Sequence, residues 1–123
     1  MSKKILIVED TPDLLQSILE FLIMEGYETI GCLSGKEAIE KLSDNKPDLI
    51  ITDLSMPDMD GFQLIERIKA IKHLNLIPIA IFSARPAQEN QAKAISFGVT
   101  KYIKKPCTPE ELLASIEELL KEN

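Results

Sequence analysis

The chain has 123 residues and a mass of 13.8 kDa, the length of one ordinary domain. Apolar residues make up 45% and charged residues 28%, which argues against disorder, and no apolar run approaches the ~20 residues of a membrane span. The formal net charge of −6 argues against an independent nucleic-acid binder, while two cysteines, Cys32 and Cys107, are too few for a disulfide scaffold and fit a reducing compartment.

In chain order, short apolar runs alternate with amphipathic stretches. Lys4–Val8 reads as a strand whose core, Ile5-Leu6-Ile7-Val8, is continuously apolar, and it is too short for a signal peptide. Thr11-Pro12 reads as an N-cap followed by proline at the first helical position, with Leu14, Leu15, Ile18 and Leu22 behind it at helical spacing and Gly26 as the stop. Glu28–Leu33 reads as a second strand. Ser34-Gly35-Lys36-Glu37 is a capping box opening a helix through Leu42. Asp48–Thr52 is a third strand, and Asp60-Gly61-Phe62-Gln63 opens a third helix carrying Phe62, Ile65 and Ile68. Ile77–Phe82 is a fourth strand broken only by Pro78. Pro86 starts a fourth helix that Gly98 ends. Thr100–Ile103 is a fifth strand, and Thr108-Pro109-Glu110-Glu111 caps a last helix lined by Leu112, Leu113, Ile116, Leu119 and Leu120.

Five β-α units with short connections and no linker predict a single α/β domain. Its expected form is a doubly wound (βα)5 fold with a five-stranded parallel sheet in the order 2-1-3-4-5. Sites in such sheets form beyond the carboxyl ends of the strands. Strand one ends in Glu9-Asp10, strand three in Asp53, strand four in Ser83, and strand five leads into Lys104-Lys105-Pro106.

Three carboxylates and one ammonium leave this edge negative, and like charges that close need compensation. A divalent cation would neutralise it. With oxygen ligands alone, a hard ion such as Mg²⁺ suits the set. Zinc does not, since Cys32 is expected on the other side of strand two and the sole histidine is His73. A carboxylate beside Mg²⁺ and an ammonium can attack phosphorus, with Ser83 donating to a phosphoryl oxygen. No nucleotide-cradling G-x-x-x-x-G-K-[ST] loop is present.

Five segments in this order carry a resemblance: Ile5–Asp10, Asp48–Asp53, Met56-Pro57-Asp58-Met59-Asp60-Gly61, Phe82-Ser83-Ala84 and Tyr102-Ile103-Lys104-Lys105-Pro106. The chain resembles a CheY-like response-regulator receiver domain, flavodoxin-like in fold, essentially from end to end. The resemblance implies that Asp53 accepts a phosphoryl group from a histidine kinase or a histidine phosphotransfer protein. It implies Mg²⁺ held by Glu9, Asp10, Asp53 and the backbone carbonyl of Ser55, with Lys105 rather than Lys104 pairing with the phosphoryl group, and a cis Lys105–Pro106 bond. Ser83 and Tyr102 become the switch pair, altering the face of helix four, strand five and helix five that meets an effector protein or output domain. The implied protein is a cytoplasmic signalling phosphoprotein that promotes only its own phosphoryl transfer and loss. It spans residues 1–123 as one domain with no output domain in this chain, contacts no nucleic acid or membrane directly, and leaves a phosphorylation-dependent homodimer open.

Departures from the family pattern are few: Glu9 where Asp is also common, Ser83 for the frequent Thr, and Cys107 where Phe is common. Ser55 and Arg85 stand two residues past Asp53 and Ser83. Other residues read more simply. Asp13 and Glu28 are surface charges, Asp58 belongs to a turn, and Asp60 caps helix three. His73 is solvated near the end of helix three, Cys107 is an inert thiol, and Met24, Met56 and Met59 serve packing and turn. A haloacid-dehalogenase-type phosphatase would want an aspartate where Ser55 stands, and a flavin site would want hydroxyls and glycines where Glu9-Asp10 stand. A binding module independent of phosphate has nothing in the sequence to favour it.

Overall fold

The computed structural model describes residues 2–121, so Met1, Glu122 and Asn123 of the expected 1–123 domain lie outside the described residues. Its elements are β1 (Lys4–Val8), α1 (Pro12–Met24), β2 (Glu28–Cys32), α2 (Gly35–Leu42), β3 (Leu49–Thr52) and α3 (Gly61–Lys69). They continue with a 3-10 turn (Lys72–Leu74), β4 (Ile79–Ser83), α4 (Ala87–Ser96), β5 (Lys101–Lys104) and α5 (Pro109–Lys121). The five strands are parallel in the order β2-β1-β3-β4-β5, as the alternation predicts. Among the described residues, no helix is long and apolar enough to cross a membrane.

The continuous apolar runs are explained by two cores, one on each face of the sheet. Ile5, Ile7, Leu49, Ile51, Ala80 and Phe82 pack with Leu15, Ile18 and Leu22 of α1 and Leu112, Ile116 and Leu119 of α5. Their strand neighbours Leu6, Val8, Ile50, Ile79 and Ile81 point the other way, onto Leu42 of α2, Leu64, Ile65 and Ile68 of α3 and Ala94 of α4. Successive strand residues alternate between faces, and here both faces are dry. Each such Leu or Ile contributes about 1.5–3 kcal/mol of burial. Helix α4 is the thinnest attachment, with Ala94 its one buried residue.

Boundaries shift where backbone chemistry demands it. Strand four begins at Ile79 rather than Ile77, because Pro78 has no N–H for a ladder and Ile77 instead donates to the Leu74 carbonyl. Strand two stops at Cys32, the last residue in register with β1 opposite Val8, so Leu33 is left exposed. His73 sits exposed in the 3-10 turn after α3 rather than within the helix. The glycine stops hold, with Gly26 and Gly98 at φ +95° and +80°.

The helix caps follow the sequence unevenly. Thr108 and Glu111 form both bonds of a capping box, and so do Asp60 and Gln63. Thr11 takes the N-cap position of α1 but makes no side-chain cap bond; its own N–H donates to Glu9 Oε2 at 3.2 Å. Ser34 makes only one of the two bonds its motif predicts, accepting from Glu37 N. The remaining α2 donors go elsewhere. Gly35 N and Lys36 N donate to the carboxylate of Asp58, at 3.2 and 2.8 Å, from a loop more than twenty residues away. Asp58 is therefore a tertiary helix cap, a role that its turn motif does not reveal. Burial pushes its carboxyl up, but the N–H groups of Lys36 and Gly35 outweigh that and hold the pKa below its ordinary value.

Asp58→Ala should cost about 1 kcal/mol at neutral pH, the usual worth of a lost N-cap, read as a lower urea midpoint with unchanged slope. Because the folded pKa lies below the unfolded one, this stability is fully present above the unfolded carboxyl pKa and is lost as pH falls through the folded value. The gap between wild type and variant should therefore close on acidification; a gap constant from neutral pH to acid would exclude the charged cap.

Candidate functional site

The carboxyl ends of β1, β3, β4 and β5 bring the predicted residues together. Glu9 is buried directly after β1, Asp10 beside it is exposed, Asp53 follows β3 with 8% of its surface exposed, and Ser83 ends β4 fully covered. Lys105 reaches in from the loop after β5, where the Lys105–Pro106 bond is cis. Its backbone N–H donates to the Ser83 carbonyl at 2.9 Å, extending the β4–β5 ladder and aiming the side chain back over the sheet edge.

The Lys105 ammonium is shared. It donates to Glu9 Oε1 at 2.6 Å and to Asp53 Oδ2 at 2.9 Å, and stands 5.1 Å from the centre of the Phe82 ring. Burial pulls its pKa down, but the bonds to Glu9 and Asp53 outweigh that and raise it, so the amine is protonated at neutral pH. The opposite oxygen of Asp53, Oδ1, accepts from Leu54 N at 2.6 Å and Ser55 N at 3.2 Å. The Asp53 side chain is thus held by two backbone donors and one ammonium.

The turn after Asp53 is held close by Gly61. Its N–H donates to the Leu54 carbonyl at 2.8 Å, and a Cβ at this position would collide with the Asp53 carbonyl oxygen and the Leu54 Cα. Backbone atoms cannot swing away, so a glycine is required here.

Glu9, Asp10 and Asp53 each place a carboxylate oxygen within 4.8 Å of the others. Against one ammonium this leaves an excess of negative charge with room for a cation. The donors are hard oxygens, which fit a divalent ion of the Mg²⁺ type. Cys32 does not compete, though not for the reason expected from the sequence. It lies at the same sheet edge, its carbonyl accepting from Glu9 N, but its thiol points into the core and burial pushes its pKa up to about 12. A protonated thiol is no ligand. Cys107 is half-buried and unpaired in a disulfide, its thiol also pushed up, first by burial and then by Glu111.

Ser83 and Tyr102 meet at one residue that the sequence offered only as a position of interest. Arg85 N donates to Ser83 Oγ at 3.1 Å, and the Tyr102 hydroxyl donates to the Arg85 carbonyl at 3.0 Å. Arg85 Nε donates to Ser55 Oγ at 3.2 Å, joining the β4–α4 loop to the β3–α3 loop. The Tyr102 ring packs against the core on the α2–α4 side. Among the remaining residues, Lys104 is exposed and outside the cluster, and Asp13 and Glu28 are solvent charges.

A match to the response regulator receiver domain family covers residues 5–117. The chain is 35% identical over 120 residues to a probable transcriptional regulator, ycf29, of Porphyra purpurea, covering 98% of this chain and 57% of that one. It is 34% identical over 116 residues to hybrid signal transduction histidine kinase D of Dictyostelium discoideum, covering 94% of this chain and 7% of that one. The chain thus spans little more than half of the first relative and a small part of the second. Among solved structures, the chemotaxis response regulator CheY4 of Vibrio cholerae superposes with a TM-score of 0.92 at 28% identity, over 98% of this chain and 100% of that one.

Asp10 carries the one exposed carboxylate of the trio, while the ion pairs of Lys105 go to the other two. In the absence of a divalent ion it adds repulsion, of about 1 kcal/mol for unit charges some 4–5 Å apart in water. Asp10→Asn should therefore raise the melting temperature of the metal-free protein and reduce the further rise produced by Mg²⁺. An equal Mg²⁺-induced rise in both proteins would remove Asp10 from the ligand set.

Proposed function

The chain belongs to the response regulator receiver family, the signalling domains of two-component systems, and from that membership we propose that Asp53 is its phosphoacceptor. The observation that carries this reading is the treatment of the Asp53 carboxylate. One oxygen is pinned by two backbone N–H groups and the other by the Lys105 ammonium, with the Glu9 and Asp10 carboxylates alongside. The nucleophile is oriented and surrounded by charge that can follow a phosphoryl group.

In the proposed reaction an Asp53 oxygen forms a bond to phosphorus as the bond from phosphorus to the donor's histidine nitrogen breaks, the electron pair leaving with the imidazole. Glu9, Asp10, Asp53 and the Ser55 carbonyl would hold Mg²⁺, which when bound supplies positive charge to the transferring phosphoryl oxygens. Lys105, whose ammonium is already on Asp53 Oδ2, supplies a second positive charge beside the phosphoryl group. Ser83 uses its oxygen as acceptor toward Arg85 N, so its hydroxyl hydrogen is free to turn to a phosphoryl oxygen. Tyr102 responds from β5, and the face of α4, β5 and α5 alters its partners. The slender burial of α4 makes that face the cheapest part of the fold to move.

The phosphodonor is a histidine kinase or phosphotransfer protein, and the recipient is an effector or an output domain, as the names of the kinase and transcriptional relatives suggest. A homodimer through the same face falls within this reading. Residues 1–123 act as one receiver unit in the cytoplasm, where kinases draw on ATP, and the domain catalyses only its own phosphorylation and hydrolysis. Turnover of an external ester is disfavoured, because a phosphatase of this type needs an acid where Ser55 holds a hydroxyl engaged by Arg85.

Intact-mass analysis after incubation with acetyl phosphate tests the assignment. We expect a single phosphoryl adduct on wild type that requires Mg²⁺ and is absent from Asp53→Asn. Lys105→Ala should retain Mg²⁺ binding but lose the greater part of adduct formation. An adduct persisting in Asp53→Asn would move the acceptor elsewhere.

A further inference from the structure

Arg85 touches three elements of the switch at once. Its backbone N–H is on Ser83 Oγ, its carbonyl receives the Tyr102 hydroxyl, and its Nε is on Ser55 Oγ. The side chain is exposed, yet it is tethered beside the very residue whose carbonyl is proposed to ligate the divalent cation. Ser55 also donates its N–H to Asp53 Oδ1. The guanidinium, which keeps its charge at any working pH, is therefore a second cation close to this edge, held on the hydroxyl of Ser55.

We propose that Arg85 is a built-in counter-cation of the site: its guanidinium occupies Ser55 until a divalent ion enters, and its release is reported to Tyr102 through its own carbonyl. The inference rests on the reading of Glu9, Asp10 and Asp53 as a Mg²⁺ site. A divalent ion on the Ser55 carbonyl repels a guanidinium held on the hydroxyl of the same residue. The tether is a single exposed hydrogen bond at 3.2 Å, the long end of the normal range. Once Nε leaves Ser55, the β4–α4 loop keeps its anchor at Ser83 but loses its tie to the β3–α3 loop. The Arg85 carbonyl, which carries the Tyr102 hydroxyl, lies on the freed segment. Cation binding and the Arg85–Ser55 bond are thus antagonistic, and linkage makes the antagonism reciprocal: removing the arginine must tighten the cation.

The test uses the absence of tryptophan and the presence of only two tyrosines, Tyr27 and Tyr102. In a Tyr27→Phe background, tyrosine emission reports Tyr102 alone while calorimetry measures Mg²⁺ affinity on the same samples. We expect Mg²⁺ to shift Tyr102 emission without any phosphodonor. Arg85→Ala should bind Mg²⁺ roughly three- to tenfold more tightly and show, before Mg²⁺ is added, the emission of the loaded parent. Arg85→Lys, which keeps the charge near Ser55, should stay close to the parental affinity, whereas a residue that served packing alone would not be rescued by charge. An unchanged affinity in Arg85→Ala, or a full Mg²⁺ response of Tyr102 in that variant, overturns the inference while leaving the metal site intact. Failure of the parent to bind Mg²⁺ at all overturns the metal reading and this inference together.

Discussion

The site depends on one ammonium shared between two buried carboxylates. Lys105 reaches Glu9 at 2.6 Å and Asp53 at 2.9 Å, joining the ends of β1, β3 and β5 at a single point. Taking such charges from water costs several kcal/mol per ion, and only close geometry with further hydrogen bonds returns it. Here the further bonds exist: Leu54 and Ser55 N–H groups on Asp53, and Thr11 N–H on Glu9. With Asp10 beside them, three carboxylates face one ammonium, so the arrangement is two positive charges short of balance, the charge of one divalent cation. A cation or a phosphoryl group changes the charge at the one place where four elements meet.

The two dry faces of the sheet give this cluster a rigid floor. Leucines and isoleucines on both sides of β1 and β3 leave those strands no freedom to slide, since any slip by one residue would exchange the contents of two different cores. The loops above are less constrained but not loose. Asp58 ties the β3–α3 loop to the start of α2, Gly61 presses it onto the Asp53 carbonyl, and Arg85 ties it to the β4–α4 loop. Burial is shallower on the opposite side, toward α4 and β5.

Membership in the receiver family says what class of event this is, and the relatives show the same kind of domain set in very different surroundings: half of a transcriptional regulator, a small part of a hybrid kinase, and the whole of a chemotaxis regulator. The local readings of the sequence held where the signal was short-range. The capping boxes at Asp60 and Thr108 formed as written, whereas Thr11 makes no side-chain cap bond, Ser34 makes one of its two, and the carboxylate of Asp58 accepts from the next two N–H groups of α2.

What the sequence determined by itself was the periodicity and the ends of its runs. Apolar stretches of strand length between capped, amphipathic segments suffice for the parallel sheet and its order, and residues at strand ends suffice to nominate Glu9, Asp10, Asp53, Ser83 and Lys105. Only the tertiary structure decided who touches whom. That Lys105 bridges two carboxylates, that Asp58 caps a helix more than twenty residues away, that Cys32 stands at the site's edge with its thiol turned into the core, and that Arg85 joins Ser55, Ser83 and Tyr102 are all consequences of side-chain direction across elements far apart in the chain. Periodicity reports which face a residue shares with its near neighbours. It carries no information on which distant donor will reach a given oxygen, because that is settled by how the finished layers pack.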